Sequence, residues 1–432
     1  MLKSIGQLTP AAAKASALSA IWTFPSMIFA ALVIAWGAES AQFLVSQAFA
    51  LTMLALIQTL PEFTVEGFIA WNAGKFPTSA NIGLMTANFT GALRLLMGLG
   101  WPLIFFTTVA FNLKRNRKFS IAKIELEQEH SAELIGLLVG ALYSFVIVIK
   151  GSLTLVDSFF LLLIYGTYIS LLLKLPSKDE ANIHELEVVP RYILTRKPWF
   201  RNMLIWSCFI VGGVGIFLIA GPFLESAMGL SVVLGVPAFM LIQWLAPFLS
   251  EFPEKGSAFY WARSITKAPM ALMNMTSSAI AELTLLISII PIIFCIALGR
   301  IDGIPLDWAH RAEIMLTGTQ AILGFVMLSN MNFKWYEALW LLILWASQIF
   351  FQYEAGHIVL SLIQMPELNA RLWDFLHGWI LAYYTVFYWF WIGLEFTIFM
   401  IIYKKLPVFS NFANLLNAYL KKGKKLSESQ NS

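Results

Sequence analysis

Apolar runs of about twenty residues recur along almost the whole chain, separated by short polar or charged segments. An α-helix needs about 20 apolar residues to cross the hydrocarbon of a bilayer. That rule predicts spans near residues 16–36, 40–73, 79–112, 131–149, 153–174, 203–223, 227–262, 266–298, 312–331, 335–353 and 376–403. The second, third, seventh and eighth are longer than a bilayer requires, so they must tilt, project or break. All four carry polar residues or proline near the middle. In the second, "LIQTLPEFTVEGF" places Pro61 directly before Glu62, with Glu66 one turn further on.

Composition supports the membrane reading. Of 432 residues 59% are hydrophobic and 12% charged, against about 25% charged in an average soluble domain. Mean hydropathy is +0.73. The 16 Trp and 12 Tyr suit aromatic belts at the two interfaces. Only Cys208 and Cys295 are present, both in apolar runs, which argues against a disulfide framework. The first apolar segment follows a polar start and reads as a membrane helix rather than a cleaved signal.

Charge distribution gives an orientation, because cytoplasmic loops are enriched in Lys and Arg. If the N-terminus lies outside, the inner segments hold twenty Lys and Arg. They include Lys114, Arg115, Arg117, Lys118, Arg191, Arg196, Arg201, Arg263, Lys334 and the tail "LKKGKK". The outer ones hold seven, among them Lys75, Lys150, Arg300 and Arg311. The expected topology is therefore N-terminus outside and C-terminus cytoplasmic, in a cell or inner membrane, with the tail a positive-inside anchor.

The longest polar stretch, residues 175–202, divides the spans. The expected units are a first repeat at 1–174, a hinge loop at 175–202, a second repeat at 203–353, an extra helix at 354–408 and a basic tail at 409–432. Halves with an odd number of spans face opposite ways, the architecture of inverted-repeat transporters. A shift of 189 residues lays "PEFTVEGFIAWNA" on "SEFPEKGSAFYWA" and aligns Glu62 with Glu251. A carboxylate at a helix centre in the bilayer costs at least ~2.5–3.5 kcal/mol. Two at equivalent places argue for a shared site.

These segments resemble the two α-repeat signatures of the cation/calcium exchanger superfamily, whose core is Gly-Thr-Ser-x-Pro-Glu. "TLPEFTVEGFIA" is similar to the first copy and "FLSEFPEKGSAF" to the second. "FTGALRLLMGLG" and "SSAIAELTLLIS" occupy the helices that follow. The resemblance implies an all-α multi-pass membrane protein of about eleven transmembrane helices: two inverted five-helix repeats plus one extra C-terminal helix. It implies a secondary-active antiporter, not an enzyme, that exchanges Ca²⁺ for Na⁺ or H⁺ and needs no cofactor beyond the transported cation. Its partners would be inorganic cations and the lipid bilayer, with no nucleic acid. Departures from the pattern keep open a degenerate, non-transporting scaffold or sensor. Only Gln58-Thr59 survives of the first hydroxyl pair, and Pro247-Phe248 replaces the second.

A hard cation takes six to eight oxygen ligands. Glu62 and Glu251 are the expected metal ligands, with Glu282, Thr59, Thr90, Asn88, Ser250, Asn274 and Ser278 as further oxygens. Pro61 is expected to break its helix near Thr59-Leu60. Arg94 is expected to pair with Glu282 and lower the pocket's charge. Glu66 faces either the same cavity or a helix end near the interface. Glu254-Lys255 reads as an interfacial pair, and Gly212, Gly213 and Gly215 as a helix-packing face. His184, His310, His357 and His377 are scattered and lack metal-ligand spacing. His130 falls in a charged stretch that reads as a solvated face, and Glu395 has no assigned role.

Overall fold

A computed structural model of the chain describes residues 10–44, 56–57, 59–116, 123–173, 186–362, 366–403 and 406–417. Gln58, His184, the start of the hinge loop and the Lys421–Lys425 tail lie outside them. Among the described residues seven helices are long and apolar enough to cross a membrane. Other helices are shorter or more polar, so the count of eleven is not reproduced by length and hydropathy alone.

The first half runs through Pro10–Ala41, Leu60–Lys75, Ser79–Leu95 continuing to Asn116, Ser131–Lys150 and Leu155–Leu172. The second runs through Pro198–Leu234, a broken segment ending at Ala262, Ala268–Leu298, Trp308–Leu328 and Trp335–Leu362. The last long helix is Pro366–Tyr403, and residues 407–417 form a further short helix. One expected span needs correction. Residues 227–234 belong to the Pro198–Leu234 helix, because Pro222 sits within it without ending it and only Gly235, at φ 68°, does. The break expected near Thr59-Leu60 is present: Thr59 is a turn residue and the helix Leu60–Lys75 carries Pro61 in its first turn, while residues 45–55 of that span lie outside the described ones.

Two short antiparallel ribbons clamp the halves together. Lys123–Glu125 pairs with Asn332–Lys334, and Ser152–Leu153 with Ile304–Pro305. Each joins a connection of one half to a connection of the other. The Leu126 amide donates to the Met331 carbonyl (2.9 Å), and the Leu306 amide donates to the Gly151 carbonyl (3.1 Å). The two bonds exchange when 180 is added to the residue numbers of one half. Even the left-handed backbone is shared, at Gly151 (φ 71°) and Met331 (φ 62°). This pairwise swap is what an inverted repeat requires.

The long helices Pro10–Ala41 and Pro198–Leu234 pack on each other along their length. A Cβ on Gly212 would lie 2.6 Å from Ile34, and one on Gly229 would lie 2.7 Å from the Ala13 carbonyl. Small residues thus set the crossing. Of the expected glycine face, Gly212 and Gly215 approach Ala30 and Ile34, whereas Gly213 has open space. Trp308–Leu328 packs on the last long helix and on Ser131–Lys150. His130 is buried rather than solvated, and its Nδ1 accepts the Glu127 amide at 3.1 Å.

Candidate functional site

Both repeat glutamates sit where a helix is interrupted. Thr59 is the turn residue before Leu60–Lys75, which puts Glu62 in the first helical turn. Glu251, at φ −89° and ψ 7°, separates Ala246–Ser250 from Phe252–Ala262. A proline follows two residues later, in the first turn of the new helix. Helix starts leave backbone amides without intrahelical partners and favour nearby negative charge. Broken backbone at membrane depth is tolerated where protein surrounds it or a cavity is lined.

The second helix of each repeat also changes register, in π-helical segments at Leu96–Gly100 and Glu282–Leu286. A third π segment, Leu241–Leu245, precedes the Glu251 break. Such bulges recur at functional sites. They aim side chains away from the regular helical stripe.

Glu62 is 1% exposed and is held from both halves. Asn88 Nδ2 donates to Glu62 Oε1 (2.5 Å) and to Glu66 Oε2 (2.8 Å). The Ser250 hydroxyl, from the second half, donates to Glu62 Oε2. Glu66 therefore shares the Glu62 cavity and does not cap a helix end at an interface. Glu251 accepts from Lys255 Nζ at 2.5 Å. This pair is buried, 0% and 6% exposed at the side chains. Lys255 is thus no interfacial residue. It stands 189 residues beyond Glu66, so the repeats place opposite charges at matching positions.

Glu254 and Glu282 complete the cluster. Glu251 and Glu282 lie within electrostatic reach of Glu62, Glu254 and Lys255. Ser278 lies beside Glu254. Among the described residues neither oxygen of the buried Glu282 has a hydrogen-bond partner. Four carboxylates and one ammonium therefore share this region, and Glu66 lies at its edge. Among the described residues no three Asp, Glu, His or Cys side chains converge closely enough to hold a metal ion.

The neutral oxygens divide into two groups. Asn88 and Ser250 bond the carboxylates directly. Thr59 donates to the Leu56 carbonyl (2.8 Å) and Thr90 to the Thr86 carbonyl (2.6 Å), so their hydroxyl protons are spent locally. Asn274 is buried on the Ala268–Ala281 helix.

Arg94 does not pair with Glu282. It is fully buried and forms an ion pair with Glu313, its Nη1 donates to Gln348 Oε1 (3.1 Å), and it lies over the Trp244 ring (5.1 Å). Its π-segment neighbourhood turns it toward the last helices. Gln243 Nε2 (3.0 Å) and His377 Nε2 (2.7 Å) also reach Glu313. Gln320 and Tyr388 extend the network through Gln348. Sequence spacing could not reveal it, because its members come from five separate helices. Glu395 is buried near Lys334 and Glu337, away from both groups. Glu39, a further buried carboxylate, accepts from Ser257 at 2.6 Å.

Comparison with known proteins agrees with this architecture. The profile of the sodium/calcium exchanger protein family matches residues 15–174 and 204–354. Among solved structures, the H⁺/Ca²⁺ exchanger CAX superposes with a TM-score of 0.72 at 27% identity, covering 90% of this chain and 92% of that one. The sodium-calcium exchanger NCX_Mj superposes at 0.52, with 15% identity over 78% of this chain and 98% of that one. No curated protein sequence matches the chain. The matched residues cover both halves, each with its interrupted helix and buried glutamate, and the chain belongs to the sodium/calcium exchanger family of integral membrane cation exchangers.

Proposed function

We propose that this chain exchanges a divalent cation, Ca²⁺ by preference, for protons, at a site built on Glu62 and Glu251. The observation that carries the reading is the contact of Ser250 from one half with Glu62 of the other, at the break in both helices. Alternating access needs a site shared by two halves that move relative to each other.

Protons are favoured over Na⁺ as counter-ion by the donor set. Na⁺ exchange calls for several neutral oxygens beside the carboxylates, and the hydroxyl pair of the repeat signature is reduced here to Thr59 in the first copy and replaced by Pro247-Phe248 in the second. A buried carboxylate without a donor among the described residues, such as Glu282, is costly as an anion. A proton or a cation relieves that cost, and the two compete. The 27% identity with a protein named as an H⁺/Ca²⁺ exchanger supports the same choice. The cation would take Glu62, Glu251 and Glu282, with Asn88, Ser250 and Ser278 as neutral partners and Glu66 and Lys255 tuning the charge. The N-terminus is placed outside on loop charge.

A second reading, a non-transporting scaffold, draws on Lys255, which already neutralises Glu251. Uptake of ⁴⁵Ca²⁺ into proteoliposomes under an imposed H⁺ or Na⁺ gradient decides between them. Proton-driven uptake abolished by Glu62→Gln and by Glu251→Gln is expected. Absence of flux under either gradient selects the scaffold, and flux indifferent to both substitutions removes the site.

A further inference from the structure

Trp308–Leu328 is long enough to cross a bilayer, at 21 residues, yet it is not among the seven apolar helices. Apart from Arg311 and Thr319, its polar residues do not scatter. Asp307, His310, Glu313, Thr317 and Gln320 follow one another at steps of three or four, so they form one stripe along the helix. Each step of three or four advances about 4.5–6 Å. A stripe of this kind inside a membrane is expensive and marks a path or a site.

We propose that this stripe is a proton path from the Asp307 end to Glu313, and that Glu313 is a proton-binding site separate from the carboxylates around Glu62 and Glu251. The inference rests on the proton-coupled reading above. Asp307 is the mouth: its side chain is 45% exposed, and it accepts from Ser79 at 2.9 Å. The charge bias of the loops puts this end outside. His310 Nδ1 lies 3.2 Å from Asp307, and its ring is buried against Gly83. One turn deeper stands Glu313, gripped by Arg94, Gln243 and His377.

The charged and titratable groups around Glu313 come from each helix packed on it. Ser79–Leu95 supplies Arg94, and the last long helix supplies His377 and, beyond Gln348, Tyr388. Its own helix supplies His310, with Asp307 at its N-cap, and Arg311, whose Nε donates to the Val148 carbonyl of Ser131–Lys150 (2.8 Å). Ser131–Lys150 also places the Ser144 hydroxyl against Gly318. In the transfer, His310 takes a proton at one ring nitrogen and releases one from the other. Glu313 goes from carboxylate to carboxylic acid, and Arg94 loses its counter-charge.

The consequence reaches the cation site through two shared elements. Arg94 and Asn88 lie on the same helix. Gln243 and Ser250 lie on the same interrupted segment. A weakened Arg94–Glu313 pair therefore loosens both residues that hold Glu62.

The test uses the full chain in proteoliposomes with a pH-sensitive dye inside, beside equilibrium ⁴⁵Ca²⁺ binding at fixed pH. His310→Asn leaves the Arg94–Glu313 pair intact. The double variant Arg94→Met with Glu313→Gln removes both charges together and avoids a lone buried one. Both variants are expected to slow cation-driven proton movement at least about tenfold, the scale of a lost proton-transfer group. In His310→Asn, whose Arg94–Glu313 pair is intact, cation binding should stay within about twofold of wild type, about 0.4 kcal/mol. An infrared carboxylic-acid band that rises in wild type as the pH is lowered should be missing from the double variant. Wild-type proton movement in either variant, or loss of cation binding in His310→Asn, overturns the inference. If the double variant does not fold, His310→Asn decides. A wild-type protein that moves no protons defeats the proton-coupled reading and this inference together.

Discussion

The Ser250 hydroxyl donates to the Glu62 carboxylate, across the boundary between the two repeats. Its own Oγ also approaches the Ala246 carbonyl at 3.0 Å, so the serine is fixed by its helix while it reaches the other half. A hydrogen bond to a charged group contributes about 1.5–3 kcal/mol. Ser250→Ala should therefore weaken divalent-cation binding about tenfold or more. Isothermal titration in detergent measures it, and unchanged affinity would show that this bond does not shape the loaded site.

Lys255 neutralises Glu251, and a cation entering there must displace an ammonium. Lys255→Gln should raise equilibrium affinity for Ca²⁺, because the incoming ion no longer competes with a tethered one. It should also slow release, and so slow exchange at saturating Ca²⁺. Affinity equal to or below that of wild type would contradict this account of Lys255.

Arg94 and Glu313 are buried together, so removing one strands the other. Arg94→Ala should lower stability by about 3–5 kcal/mol. The paired change Arg94→Met with Glu313→Gln should recover most of it. Thermal unfolding of the two purified variants gives the comparison, and equal melting temperatures would mean that the pair is not coupled.

Gly91 lies where the second helix of the first repeat crosses the interrupted segment of the second. A Cβ there would lie 1.9 Å from the Gln243 carbonyl oxygen, a clash with backbone that cannot turn aside. Gly91→Ala should destabilise by about 1–3 kcal/mol or more, as overpacking does, and it should displace Gln243 from Glu313. Gly213→Ala meets nothing within 4 Å and serves as the silent control. A Gly91→Ala protein with wild-type melting and transport would show that this crossing is loose.

Met331 adopts φ 62°, a conformation that costs a non-glycine residue roughly 1 kcal/mol. Its counterpart Gly151 adopts φ 71° without that cost. Met331→Gly should relieve the strain and keep the Leu126 bond, whereas Gly151→Ala should introduce strain at the other ribbon. Hydrogen exchange at Leu126 and Leu306 reads both, and the reverse order of protection would refute the symmetry argument.

The sequence by itself determined the membrane character, the approximate helices, the two repeats and the paired glutamates. These are local quantities: apolar length, proline position, and an acidic residue where hydrocarbon was expected. The helix start beside Pro61 was legible for the same reason, since a missing amide acts on its own turn. Partner choice was not. Arg94 and Glu282 occupy related positions in the two repeats, and repeat logic paired them, but the π segments and the close helix crossing at Gly91 turn Arg94 to Glu313. His310 and His377 looked scattered because 67 positions separate them in the chain. His310 stands one turn from Glu313 on their own helix, and only the packing of the last long helix on Trp308–Leu328 brings His377 to that carboxylate. Lys255 looked interfacial beside Glu254, yet the break at Glu251 draws it inward. Ion pairs inside a membrane are decided by which buried charges lack water, and that is set by tertiary packing rather than by spacing along the chain.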